Sequence, residues 1–243
     1  MRVTLLASLA LLLVAASPAT DQARQLMDQG DEAAAFALVE RNASAGDLDS
    51  IEFLAWFYDQ GRHVREDKAR AVSLYRQAAE RGHRQAQWRL GVMLDMGEGV
   101  AEDAVEAFRW ISRAAAQDSP EANASMGVMY ANGRGVARDY AQSRLYYLKA
   151  ARLGAAGGFY GMALLHTLGQ GVPENRVEGL AWMYVAATLG DSRAEQAATE
   201  YGLDSTTTAQ AASRANQILR EYGHSNHRVR FRDLDAERNV PVA

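Results

Sequence analysis

The sequence predicts an all-α fold of helical hairpins stacked side by side. Three observations carry that prediction. A period of 36 residues runs without a gap through the middle of the chain. Within each period, apolar residues recur at helical spacing. The composition is rich in Ala, with only four Pro and six Phe, which favours helices over strands. At 243 residues the chain can form one large domain or two small ones, and 48% apolar with 23% charged residues is ordinary globular usage. A formal charge of -4 gives no global pull toward nucleic acid, so none is expected as a partner. Cysteine is absent, which excludes disulfides, zinc–thiolate sites, cysteine nucleophiles and a lipid-modified cysteine anchor.

The first element is an address. Met1-Arg2 is followed by Val3 to Ala16 with almost no polarity, then by the small residues Ser17, Pro18 and Ala19. A positive start, an apolar run of about a dozen and a small-x-small end is the layout of a secretory signal peptide. Residues 1–19 are expected to be that peptide, cut after Ala19 with Ser17 and Ala19 at the two small positions. Spanning a bilayer needs roughly 20 apolar residues. The run is shorter and no later segment is long enough, so no stable membrane insertion is expected after cleavage. Two Lys against 24 Arg points to a GC-rich bacterial genome. The expected location is therefore periplasmic or secreted.

Residues 20–48 are expected to cap the front of the stack. Asp31 lies 36 before Asp67, and Gly46 lies 36 before Gly82. Residues 31–45 thus match a lone second helix, after a short helix near residues 22–28.

Residues 49–190 hold four copies of the period. Gly61, Gly97, Gly133 and Gly169 align, as do Val64, Val100, Val136 and Val172. Asp67, Asp103 and Asp139 align with Asn175, and Leu54 and Leu90 with Met126 and Met162. The Ala pairs 78–79, 114–115, 150–151 and 186–187 fall in register too. Each copy reads as a first helix, a Gly-x-Gly-Val loop and a second helix. Glycine can take the left-handed backbone that closes a helix. Copy one has His63 at the second glycine, so that position is expected to be strained or rearranged. The Asp or Asn three residues after the valine is placed to cap the second helix, worth about 1 kcal/mol. Ala55, Gly91, Gly127 and Ala163 follow the Leu/Met column, and with the second-helix alanines they are expected to let the helix backbones approach closely.

Residues 191–222 are expected to close the stack. Arg193–Tyr201 repeats a first helix without its loop. Ser205 then precedes a helix with Ala211, Ala215, Ile218 and Leu219 on one face. Residues 223–243 read as a tail containing the alternating run Arg228-Val229-Arg230-Phe231-Arg232.

The joint spacing of Leu90-Gly91, Gly97-x-Gly99-Val100, Asp103, Ala107 and Ala114-Ala115, with its 36-residue equivalents, resembles the Sel-one-like repeat family, a relative of the tetratricopeptide repeats. The resemblance covers about residues 49–190 and implies a right-handed superhelix of antiparallel helix pairs, with a concave face lined by the first helices. Departures are Ala55 and Ala163 for a glycine, His63, Asn175 for the capping acid, and Ser143 and Gly179 in the alanine column. Carried over from the tetratricopeptide relatives, the groove-facing positions are Glu52, Trp56 and Asp59; Trp88, Val92, Asp95 and Met96; Val128 and Asn132; Tyr160, Leu164 and Thr167. Apolar and aromatic anchors among polar neighbours suit a protein or peptide partner. The competing reading is that the aromatics only fill gaps between repeats.

Reactive centres are not evident. Some relatives are linked with penicillin-like compounds, but neither Lys68 nor Lys149 follows a serine by three, and no Lys-Thr-Gly occurs. No His-Glu-x-x-His occurs, and His224-x-x-His227 sits in a polar, glycine-led context. The recurring Gly-x-Gly precedes a capping acid, which favours a structural loop over a phosphate cradle. No catalytic residue, cofactor or metal is therefore expected. The expected function is an exported scaffold that binds a protein or peptide, which the family resemblance extends to control of an envelope complex or sensor kinase. The alternative is a binder or hydrolase of cell-wall or β-lactam compounds, and a closed pocket would instead favour a small-ligand receptor.

Overall fold

The structure is a computed structural model that describes residues 17–201, 204–224 and 226–227. Most of the expected leader and the run Arg228–Arg232 lie outside the described residues. The described residues form twelve helices and no strand. The chain divides into two compact units, residues 1–78 and 79–243.

In the first unit, α1 (Pro18–Asp28), α2 (Glu32–Ser44) and α3 (Leu48–Gln60) pack on one another, and α4 (Lys68–Glu80) begins. Ser17, Asp31 and Asp47 accept N–H groups at the three helix starts. The core gathers Ala35, Val39, Ile51, Leu54 and Phe57, all nearly inaccessible, with Phe36 edge-on to Phe57 at 5.4 Å. Burying a side chain of this size contributes about 1.5–3 kcal/mol. α1 starts at Pro18, so its first two residues overlap the segment expected to be the leader.

The second unit holds α5 (Arg84–Met96), α6 (Ala104–Ala116), α7 (Pro120–Asn132), α8 (Tyr140–Arg152), α9 (Ala156–Leu168), α10 (Arg176–Thr188), α11 (Ser192–Glu200) and α12 (Ser205–Glu221). The helices from α5 to α10 are each 13 residues long and start in the 36-residue register. Neighbours pack in sequence, α5 with α6 through α9 with α10, and α10 also carries α11 and α12. Ala211, Ala215, Ile218 and Leu219 of α12 are fully buried against this body.

The capping column works as the sequence indicates. The Asp67 carboxylate accepts from Arg70 N–H at 2.9 Å, Asp103 from Glu106 at 2.8 Å, Asp139 from Gln142 at 3.0 Å, and Asn175 from Glu178 at 3.0 Å. Asp204, one residue before the expected Ser205, caps α12.

The second loop glycine is needed for space as well as for backbone. A Cβ on Gly135 would lie 1.9 Å from the Ala104 carbonyl, and one on Gly171 would lie 2.6 Å from Tyr140 Cβ. The loop of each of these repeats therefore rests on the start of the preceding second helix. His63 keeps the left-handed conformation, with φ 58°, and its ring lies 5.3 Å from Phe36. A side chain in that region carries a backbone cost.

At the two glycines of the small column the second helix does come close, with the Ala107 carbonyl 3.1 Å from a Cβ on Gly91, and bulky side chains that the sequence reading did not name cover the gap. A Cβ on Gly91 would meet Ile111 Cγ1 at 2.4 Å, and one on Gly127 would meet the Tyr147 ring at 2.4 Å. A Cβ on Gly161 would meet the other side of the problem, the same Tyr147 ring, at 2.3 Å. Tyr147 is thus wedged against glycines of α7 and α9.

Candidate interaction groove

The second unit contains a cavity of about 640 Å³, within the size range of ligand-binding clefts. First helices build it: Trp88 from α5, Ser125, Val128 and Asn132 from α7, Tyr160 and Leu164 from α9, and Arg193 from α11. These side chains converge because 13-residue helices in a fixed register bring the same turn of each first helix to the same side. Tyr147 of α8 also lines it, reaching through the gap left by Gly161.

The lining is mainly apolar with placed polar groups. Trp88 Nε1 donates to Ser125 Oγ at 3.1 Å, tying α5 to α7, and the Arg89 guanidinium lies 4.8 Å from the Trp88 ring. Val128 is 43% exposed, which leaves a large aliphatic group open to a partner. The Arg193 guanidinium sits 5.0 Å from the Tyr160 ring and is held by Asp191 at 2.7 Å. The hydrogen bond from Arg193 to Asp191 raises the guanidinium pKa, so this charge is fixed. Burial pushes the Tyr147 phenol up to about 12, which keeps it neutral at physiological pH. Among the described residues lining the cavity there is no His or Lys to act as a base toward Ser125.

The structure distributes the twelve sequence-derived groove residues unevenly. Trp88, Val128, Asn132, Tyr160 and Leu164 come together in the cavity. Val92, Asp95, Met96 and Thr167 belong to the same first helices but do not line it. Asp95 accepts from Arg134 Nε at 2.8 Å, and Thr167 Oγ1 accepts from the Tyr201 hydroxyl at 3.1 Å. Met96 is 64% exposed at the end of α5, the position that Asn132 holds in α7. Glu52, Trp56 and Asp59 lie on α3 of the first unit. There Trp56 packs beside Phe53 and Phe57, and buried Asp59 accepts from Lys68 Nζ at 2.8 Å.

Sequence reasoning missed Tyr147, Ser125 and Arg193. Tyr147 was legible in principle: Tyr75, Ile111, Tyr147 and Met183 form a column of large residues 36 apart in the second helices. Ser125 and Arg193 carry no such signal, because each is recognised only by what it touches.

Among the described residues, no group of three metal-ligating side chains is assembled, and no helix is long and apolar enough to cross a membrane.

The family model for the Sel1 repeat matches residues 48–83, 84–119, 120–154 and 160–191. No curated protein matches the chain. Among solved structures, a Sel1 repeat protein from Oxalobacter formigenes superposes with a TM-score of 0.69 at 26% identity, covering 82% of this chain and 84% of that one. A protective antigen of uropathogenic Escherichia coli, described as displaying an SLR fold, gives 0.67 at 30% identity. It covers 84% of this chain, which spans just under half, 46%, of the antigen. An immunity protein from Pseudomonas aeruginosa gives 0.58 at 18% identity over 93% of this chain and 90% of that one, a likeness of fold alone.

Proposed function

The chain belongs to the Sel1 repeat family, a class of all-α solenoid scaffolds, and from that premise we propose that it is an exported adaptor holding a segment of another protein in the groove of its second unit. One observation carries this reading: Trp88, Val128, Tyr160 and Leu164, from three successive first helices, meet in a single cavity. Aromatic and aliphatic anchors in a concave site, with polar groups at the edge, are where binding energy concentrates in protein interfaces. Asn132 and Gln170 line the same cavity. A carboxamide offers both donors and acceptors, so it can pair with the backbone amides of a bound segment. The partner is a segment presenting one or two large apolar side chains. The leader-like start supports a partner in the same compartment, such as an envelope complex or the sensor domain of a kinase.

The test is photo-crosslinking in the intact cell. A crosslinking residue at Val128 is expected to capture a defined partner. The same residue at Leu145, 56% exposed on the second helix α8, is expected to capture none of it. Trp88→Ala or Tyr160→Ala should weaken capture about tenfold or more, roughly the loss of 1.4 kcal/mol of binding. Identical capture at Val128 and Leu145 refutes the groove.

A further inference from the structure

We propose that the exported chain is cut between Ala16 and Ser17, and that the amine so created is held by Asp49 while the Ser17 hydroxyl is held by Asp47. The inference rests on the export reading above and fixes where the mature protein starts. Small residues crowd this stretch, so several bonds are open to signal cleavage: the one after Ala19, with Ser17 and Ala19; the one after Ser17, with Ala15 and Ser17 but with Pro18 next; and the one after Ala16, with Ala16 small and the modest Val14 two before it. The fold separates them.

Ser17 is part of the folded first unit. Its backbone N–H donates to Asp49 Oδ2 at 2.7 Å, and its hydroxyl donates to Asp47 Oδ2 at 2.9 Å. It also caps α1, with the Thr20 hydroxyl donating to its carbonyl at 2.9 Å, and Pro18 occupies the first helical turn. Thr20 is 1% exposed. A cut after Ala19 would remove the cap and the start of α1 and place a charged terminus on the buried Thr20. A cut after Ala16 leaves every one of these contacts in place.

Hydrolysis of the Ala16–Ser17 bond by the host's signal peptidase consumes one water, leaving a carboxylate on Ala16 and an ammonium on Ser17. The single amide donor facing Asp49 becomes a cation with three. Such charge-assisted hydrogen bonds are roughly twice as strong as neutral ones. A cation at a helix N-terminus is ordinarily unfavourable. Here Asp47 and Asp49 from the start of α3, with Asp21 in the first turn of α1, supply the opposing charge.

The experiment expresses the full chain in a Gram-negative host and recovers it from the periplasm for intact mass and N-terminal sequencing. The expected first residue is Ser17. An exported chain beginning at Thr20 overturns this inference alone. A chain that keeps residues 1–16 overturns the export reading and this inference with it. A second measurement compares chains made to start at Ser17 and at Thr20, each with and without Asp49→Asn. The Ser17 chain should melt higher, and Asp49→Asn should lower its Tm by about 2–4 °C more than it lowers that of the Thr20 chain. Equal shifts in the two backgrounds refute the pairing.

Discussion

Replacing Gly127 with alanine adds one methyl group at a tightly packed point of the second unit. The added Cβ would lie 2.4 Å from Tyr147 Cδ1 and 2.5 Å from Cε1, where ordinary contact is nearer 3.4–4 Å. The ring has little room to shift, although it borders the groove: it is 4% exposed, and its Cδ1 and Cε1 atoms also face Gly161, whose own Cβ would lie 2.3 Å away. Relief of about 1 Å must therefore come from separating α7 and α8, which breaks packing along both helices. Overpacking of this kind costs about 1–3 kcal/mol, and the higher helix propensity of alanine returns somewhat under 1 kcal/mol of it. With the upper half of that overpacking range expected for a contact of 2.4 Å, the net loss is about 1–2 kcal/mol, or a fall in Tm of roughly 2–8 °C for a chain of this size. Gly127→Val, with two further methyls, should cost more. Thermal melts followed by circular dichroism measure this directly. An unchanged or raised Tm for Gly127→Ala would show that Tyr147 is not wedged and refute the packing argument.

Other outcomes follow from the same geometry. Gly157→Ala should behave oppositely, because its Cβ would meet Ala124 Cβ at 3.5 Å, an ordinary contact. The expected gain is about 0.5–1 kcal/mol, read as a higher Tm. Arg214→Ala should loosen the closing helix, since Arg214 on α12 donates to Glu178 on α10 at 3.0 Å and also pairs with Glu221. A partly buried pair of this sort is worth about 1 kcal/mol, and faster amide exchange confined to α12 would confirm where it is lost. His166 gives a pH dependence: burial lowers its pKa, opposed by Glu178 and aided by Arg144 and Arg214. A depressed histidine contributes stability above its unfolded pKa of about 6.5 and loses it as pH falls through the folded value. Tm should therefore drop on acidification below pH ~6.5, and His166→Gln should drop less; parallel curves would remove His166 from the account.

The sequence by itself determined the helices of the four repeats, the glycine that ends each first helix and the residue that caps each second one, while it set the start of α1 four residues late and the cap of α12 one residue late. Each of those rests on interactions within a few residues. Asp103 needs only Glu106 N–H three positions on, and Gly97 needs only the left-handed conformation, with φ 70°. Repetition then made a weak local signal strong, because the same short code appears at every step of 36 residues. Even the His63 departure was legible, and the structure keeps its backbone at φ 58°.

The tertiary structure alone decided what fills the spaces between helices. The glycine column announced a close approach, and the 36-residue column of Ile111 and Tyr147 showed a row of large side chains, but that the second column fills the first depends on helix rotation and crossing. The groove depends on the same non-local facts. Trp88 and Ser125 are 37 residues apart and meet at 3.1 Å, while Asp59, at an equivalent sequence position to Asp95, is buried beside Lys68. Periodicity states which residues are equivalent, and only packing states which of them are left facing outward for another molecule to touch.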